Sequence, residues 1–240
     1  PVGCSPWSYH RMTEVVRAYA PPQLVDQFLA RRRWVFPQVD TAWLDSLDEP
    51  KHKTFSLYFG GRFTATKGGE QSVEQYLKLL MGGRDVEIYV TAVGDARRLR
   101  EVLKTYGGHD AVQTFSNLSY EMAARLAKRC HASIFYQMNP GAAAPYNWLY
   151  SGQVVLMKRH GFLEEETQMP PGYPFWFQDD DECAALLRWV YEHYDDAQAK
   201  LAAIGTRAWL QSVDERAGYR ELLTIGQAAI ARESHRPERY

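Results

Sequence analysis

The chain has 240 residues, of which 45% are hydrophobic and 24% charged, with a net charge of −1 and a pI near 6.8. That is enough for one large globular domain or two small ones, and the charge is too balanced for a broadly basic nucleic-acid binder. No apolar run approaches the roughly 18–20 residues of a membrane span, so none is expected. Cys4, Cys130 and Cys183 are far apart, with no CxxC spacing, and the histidines show no HxxxH pattern. Neither a disulfide framework nor a zinc site is implied, and a reducing, cytoplasmic location is expected. The first residue is Pro rather than Met and no signal-peptide pattern follows it, so a fragment, a processed product or a trimmed chain is expected.

The predicted elements run as follows. Residues 6–20 read as a helix, broken by Pro21-Pro22, and 23–30 as a second. A strand is expected over 34–36 and a loop or short helical turn over 40–47. From residue 54 strands and helices alternate: strand 54–60, helix 72–80, strand 86–93, helix 96–106, strand 111–115, helix 119–129, strand 132–136. Ser116-Asn117 offers N-cap choices for the helix over 119–129, with Ser119 as a secondary cap. His131 is expected to begin a buried strand. A Pro/Gly/Ala loop over 139–145 leads to a short helix over 146–151, a strand over 153–157 and an aromatic strand over 173–178. Asp179–Glu182 is an acidic helix start, matched to the helix dipole, and helical segments follow to about residue 231. The tail, 233–240, is polar and expected to fray. The basic clusters, Arg31–Arg33 and Arg97-Arg98 with Arg100, read as solvated helix faces.

The pattern predicts an α/β fold, a Rossmann-like parallel sheet with helices on both faces. Such sheets bind ligands at the carboxyl ends of their strands. Three predicted loops lie there: 60–69, 115–119 and 139–145. The first carries the chemistry: Gly60 and Gly61 end an apolar run, Arg62 and Lys67 follow, then Gly68-Gly69 and a helix. Glycines let backbone approach a ligand closely, Arg62 offers a planar fork to phosphate and Lys67 a point charge, and the helix N-terminus adds its dipole. An ordinary strand-to-helix turn with two solvated cations fits that stretch equally well.

Six segments, taken in order, resemble the C-terminal, donor-binding domain of retaining GT-B glycosyltransferases (group 1, family 4-like). Val35-Phe-Pro-Gln-Val-Asp-Thr-Ala-Trp43 is similar to the family's PNGVDxxxF segment. Gly61-Arg62 and Lys67-Gly68 match its GR and KG. Val86–Gly94 stands for the following strand, and Val112–Phe115 with Ser116, Asn117 and Leu118 for its V.F.G turn. Asn147–Val155 takes the place of the segment that ends its paired-Glu loop, and 173–204 that of its closing strand and helices. The resemblance covers about residues 2–215. The family's two loop Glu residues face the transferred sugar and the ribose; counting back from Gly152 puts them at Asn139 and Asn147. Both are amides here, able to hydrogen-bond a hydroxyl but without charge to stabilise an oxocarbenium-like transition state. Glu164–Glu166 is a nearby acidic stretch that reads first as a solvated loop.

The resemblance implies half of a GT-B architecture: an interdomain connection with the first helices over 1–50, a nucleotide-sugar-binding Rossmann-like domain over 51–215, and a C-terminal helix and tail over 216–240. It implies a UDP- or GDP-linked sugar as substrate, no cofactor and no metal. Arg62 and Lys67 are expected on the diphosphate, the backbone N–H groups of Gly141, Ala142 and Ala143 on the distal phosphate, Phe115–Leu118 around the base, Asn147 at the ribose and Asn139 at the sugar. An N-terminal acceptor domain, in the same or another chain, is the expected partner. Two other readings stand beside this one. The twin Asn residues suit a non-catalytic partner subunit or interaction module. The Arg clusters permit glycosylation of modified nucleic-acid bases, without positive support from the charge.

Overall fold

A computed structural model of the chain describes residues 2–3, 6–31, 33–34, 39–64, 67–94, 96–107, 110–116, 118–137, 144–161 and 169–213, with 220, 223–224 and 227. Near the N-terminus, β1 (Val2–Gly3) and β2 (Arg33–Trp34) pair in parallel as a two-stranded sheet, with helices α1 (Pro6–Tyr19) and α2 (Pro22–Arg31) between them. Pro22 stands at the first position of α2, where a missing N–H costs nothing. Next comes α3 (Thr41–Ser46), a true short helix where the sequence left a choice between loop and turn. Asp40 caps it, its Oδ1 accepting the Trp43 N–H at 2.9 Å. The Lys128 ammonium donates to the carbonyls of Leu44 and Leu47 at its other end.

The main sheet has six strands, all parallel, in the order β5-β4-β3-β6-β7-β8. They are β3 (Phe55–Phe63), β4 (Val86–Gly94), β5 (Val112–Phe115), β6 (Ala132–Phe135), β7 (Val154–Lys158) and β8 (Trp176–Phe177). The connecting helices are α4 (Gly69–Met81), α5 (Ala96–Tyr106), α6 (Tyr120–Arg129) and α7 (Ala144–Tyr150), followed by α8 (Asp180–Glu192), α9 (Tyr194–Ala203) and α10 (Thr206–Ser212). Neighbouring strand residues face opposite sides of a sheet. Accordingly the Tyr58 hydroxyl reaches the Ala123 carbonyl of α6 at 3.5 Å, whereas Phe59 lies against the start of α4. Helices thus cover both faces, and the apolar runs of β3, β4, β6 and β7 are buried between them.

Several boundaries differ from the sequence expectation. β3 continues beyond Gly60 to Phe63, because Gly60–Phe63 pair with Thr91–Gly94. β8 is only two residues long; Tyr173 and Phe175 are buried beside it without joining it as strand. α6 begins after Ser119 rather than at Ser116-Asn117, since it is Ser119 Oγ that accepts the Met122 N–H at 3.2 Å. His131 precedes β6 by one residue, buried, with Nδ1 3.0 Å from the Ser56 N–H and 2.9 Å from Ser56 Oγ. Most of the helical expectation past residue 213, and the 34–36 strand beyond Trp34, lie outside the described residues.

The strand order reverses between β3 and β6, and the two part early. Their recorded pairs are Leu57↔Ala132 and Tyr58↔Ser133. Just above, the fully buried Tyr76 of α4 inserts its hydroxyl between the strands, donating to the Tyr58 carbonyl at 2.8 Å and accepting the Ile134 N–H at 2.9 Å. Two backbone groups left without a ladder partner are satisfied by one side chain. The sheet is therefore split open at its topological switch point, the place where parallel α/β sheets receive ligands.

Candidate functional site

Two adjoining cavities occupy this split. One, of about 460 Å³, is lined by Tyr58, Phe115, Leu118, Asn147 and Trp148 and by the small-residue face of α6, with Ala123 and Ala127. The other, of about 400 Å³, is lined by Arg62, Lys67, Phe135 and Gln137. Gly60, Gly61, Ala144 and Trp148 belong to both walls. The ends of β3, β5 and β6 and helix α7 thus meet at one cleft; of the three predicted loops, 139–145 lies outside the described residues up to residue 143.

Its halves differ chemically. Among the described residues no charged one lines the larger cavity, and Arg62 and Lys67 are the only charged ones lining the smaller. Among the described residues no carboxylate lines either one, and neither cation is ion-paired. Arg62 is exposed and Lys67 half-buried. Partial burial, with the Arg62 charge nearby, lowers the Lys67 pKa below its ordinary value. The charge of an anion bound between the two would oppose that lowering.

The glycines divide by role. A Cβ on Gly68, which sits at φ +67 as the cap of α4, would lie 2.1 Å from Tyr136 Cβ; one on Gly69 would lie 2.9 Å from the Phe63 ring. One on Gly60 would strike the Tyr58 hydroxyl at 2.5 Å and its ring at 2.7 Å. These three are needed for the protein's own packing, not for approach to a ligand. At Gly61, with φ +150, nothing lies within 4 Å of the Cβ position; this residue alone of the four presents open backbone to the cleft.

The other predicted site residues fall out as follows. Phe115 and Leu118 line the larger cavity; Ser116 is exposed and lines neither. Asn147, on α7, lines the larger cavity and donates through Nδ2 to the Tyr120 hydroxyl at 3.3 Å. Asn117, Asn139, Gly141, Ala142 and Ala143 lie outside the described residues, as does the Glu164–Glu166 stretch. Sequence reasoning missed Trp148, whose indole lies on both cavities, and Tyr120. The spacing of Ala123 and Ala127 was a usable signal: small residues on one helix face leave room beside it. Among the described residues no cluster of His, Cys, Asp and Glu suits a metal ion, and no helix is long and apolar enough to cross a membrane.

No protein-family model matches the sequence, and a search of curated proteins finds no match. Solved structures do. The pneumococcal O-GlcNAc transferase GtfA, in complex with UDP and GlcNAc, superposes with a TM-score of 0.66 at 14% identity over 98% of this chain. A glycosyltransferase from Rickettsia africae gives 0.66 at 14% over 90%, and sucrose-phosphate synthase from Thermosynechococcus elongatus 0.65 at 16% over 96%. The fold is that of a GT-B glycosyltransferase half. At these identities the GT-B likeness is one of fold. The chain spans 45%, 66% and 58% of those three proteins.

Proposed function

We propose that this GT-B half binds a nucleoside diphosphate sugar, UDP- or GDP-linked, and serves as the donor domain of a retaining glycosyltransferase. The observation that carries the reading is the pairing, in one cleft at the sheet's switch point, of two cations with no counter-carboxylate among the described residues and a neighbouring cavity whose described lining is uncharged. A nucleotide has the matching halves: an anionic diphosphate and a flat, largely apolar base. Arg62 and Lys67 hold the diphosphate, Phe115 and Leu118 flank the base, and Asn147 meets the ribose. Asn139 meets the sugar, and the N–H groups of Gly141, Ala142 and Ala143 meet the distal phosphate.

As the glycosidic bond breaks, negative charge builds on the departing diphosphate. Arg62 and Lys67 stabilise it there, the part a divalent metal takes in other transferases. The acceptor comes from another domain, in the same or another polypeptide. Calorimetric titration of UDP and GDP tests the reading. Arg62→Ala and Lys67→Ala should each weaken binding about tenfold or more, as charge-assisted hydrogen bonds of roughly 1.5–3 kcal/mol imply. Affinity for both nucleotides unchanged in both variants sinks it.

The lack of a carboxylate on the described cleft walls favours a second reading, a non-catalytic partner subunit that keeps the binding cleft. It expects nucleotide binding without hydrolysis or transfer of any nucleotide sugar, alone or with a partner chain.

A further inference from the structure

A much smaller cavity, of about 50 Å³, lies between α4 and α8. Lys67 stands before the first turn of α4, whereas this cavity lies beside its last two. Its described lining includes Gln75 and Lys78 of α4, Arg84 beyond the end of that helix and Arg188 of α8, and no carboxylate. Ordinary roles account for part of this wall. Lys78 suits the carboxyl end of a helix dipole. Arg84 pairs with the Glu192 carboxylate at 2.8 Å and donates to the Gly82 carbonyl at 2.7 Å. Arg188 and Gln75 are left without such a reason. Arg188 stands outside the last turn of α8, and among the described residues neither it nor Lys78 has an ion pair. Gln75 is 2% exposed, yet its amide bonds to none of the described residues; Oε1 is shielded and without a partner. Buried side-chain amides are nearly always hydrogen-bonded.

Three cations with one carboxylate beside them, around an amide that the fold does not use, form a receptor for an anion. An amide without protein partners is free to turn its N–H groups toward one. Lys78 brings a compact charge and Arg188 a planar fork. Size narrows the class. At roughly 10–15 Å³ for each water-sized group, this cavity holds about four of them, which suits the oxygens of one phosphoryl group and neither a sugar ring nor a nucleobase. We propose that the cavity between α4 and α8 binds a single phosphoryl group, as inorganic phosphate or the head of a small phosphate monoester, through Lys78, Arg188 and the Gln75 amide. The site is independent of the nucleotide reading, since none of these residues lines the cleft.

The test is an NMR titration of the isotope-labelled chain with inorganic phosphate at constant ionic strength. Gln75→Leu identifies the Gln75 side-chain amide signals by their loss. In the native chain these signals should shift along a saturating curve. Lys78→Gln and Arg188→Gln, both at exposed positions, should each raise the dissociation constant about tenfold at an unchanged thermal midpoint, as one charge-assisted hydrogen bond implies. Arg62→Ala combined with Lys67→Ala should leave the curve as it is. Glycerol phosphate in place of phosphate separates the two sources: tighter binding marks the ester as the ligand, and equal or weaker binding the free ion. Gln75 signals that stay still, or drift in proportion to phosphate without saturating, overturn the proposal. So does a curve unaltered by both Lys78→Gln and Arg188→Gln. A curve abolished by the two cleft substitutions also overturns it, by tracing the response to Arg62 and Lys67.

Discussion

His131 and Lys67 illustrate two uses of burial at the scale of single residues. Lys67 loses hydration beside another cation, an arrangement that favours an incoming anion. His131 is buried against Ser56, and its ring stacks on Phe55 at 5.1 Å. Burial, then the nearby Lys51 and His52, lower its pKa from 6.5 to about 4. The folded state thus prefers the neutral imidazole, whereas the unfolded chain protonates near 6.5. Stability from this residue is complete above pH 6.5 and lost as pH falls toward 4. The gap corresponds to about 3 kcal/mol. Urea denaturation midpoints should fall across that window, and His131→Asn should flatten much of the slope, the lowered pKa values of His52 and Glu192 leaving a remainder of it. A slope unaltered by the substitution counts against this account. The histidine's burial was legible in its place before an apolar strand; its hydrogen bond to Ser56 was not, because the two are joined only by the pairing of β3 with β6.

For elements, the start of α4 is the informative case. The Gly68-Gly69 pair was legible as a turn into a helix, but its reason was not. The sequence reading took all four glycines as backbone opened to a ligand, and only Gly61 fits that description. Gly68→Ala faces both a left-handed φ and a 2.1 Å approach to Tyr136 Cβ. It should cost about 3 kcal/mol, combining left-handed strain with overpacking. Gly83→Ala, at φ +79 with nothing within 4 Å, carries only the first and should cost about 1–2 kcal/mol. Thermal unfolding of the two variants separates the contributions, and equal losses would show that packing at Gly68 contributes nothing. Helix caps show the same divide. Asp179 and Ser119 have the right chemistry in sequence, but choosing Ser119 over Ser116 and Asn117 took the backbone geometry at the end of β5.

At the scale of the whole molecule, alternation of strands and helices was enough to predict a parallel sheet with both faces covered. It does not specify strand order, because nothing local to β3 says that β6, rather than another strand, lies beside it. The cleft follows from that order and from Tyr76, whose hydroxyl serves both strands where their ladder stops. Tyr76→Phe leaves the Tyr58 carbonyl and the Ile134 N–H without their partner. A loss of about 2–3 kcal/mol is expected, from two buried groups left unsatisfied, measured by urea denaturation; a loss below about 0.5 kcal/mol would mean that water replaces the phenol.

The same phenol gives the molecule an internal probe. The amide proton of Ile134 is held by a side chain of α4, not by a neighbouring strand. Its deuterium uptake therefore times the separation of the β5-β4-β3 half-sheet from the β6-β7-β8 half-sheet, an opening that global unfolding measurements average away.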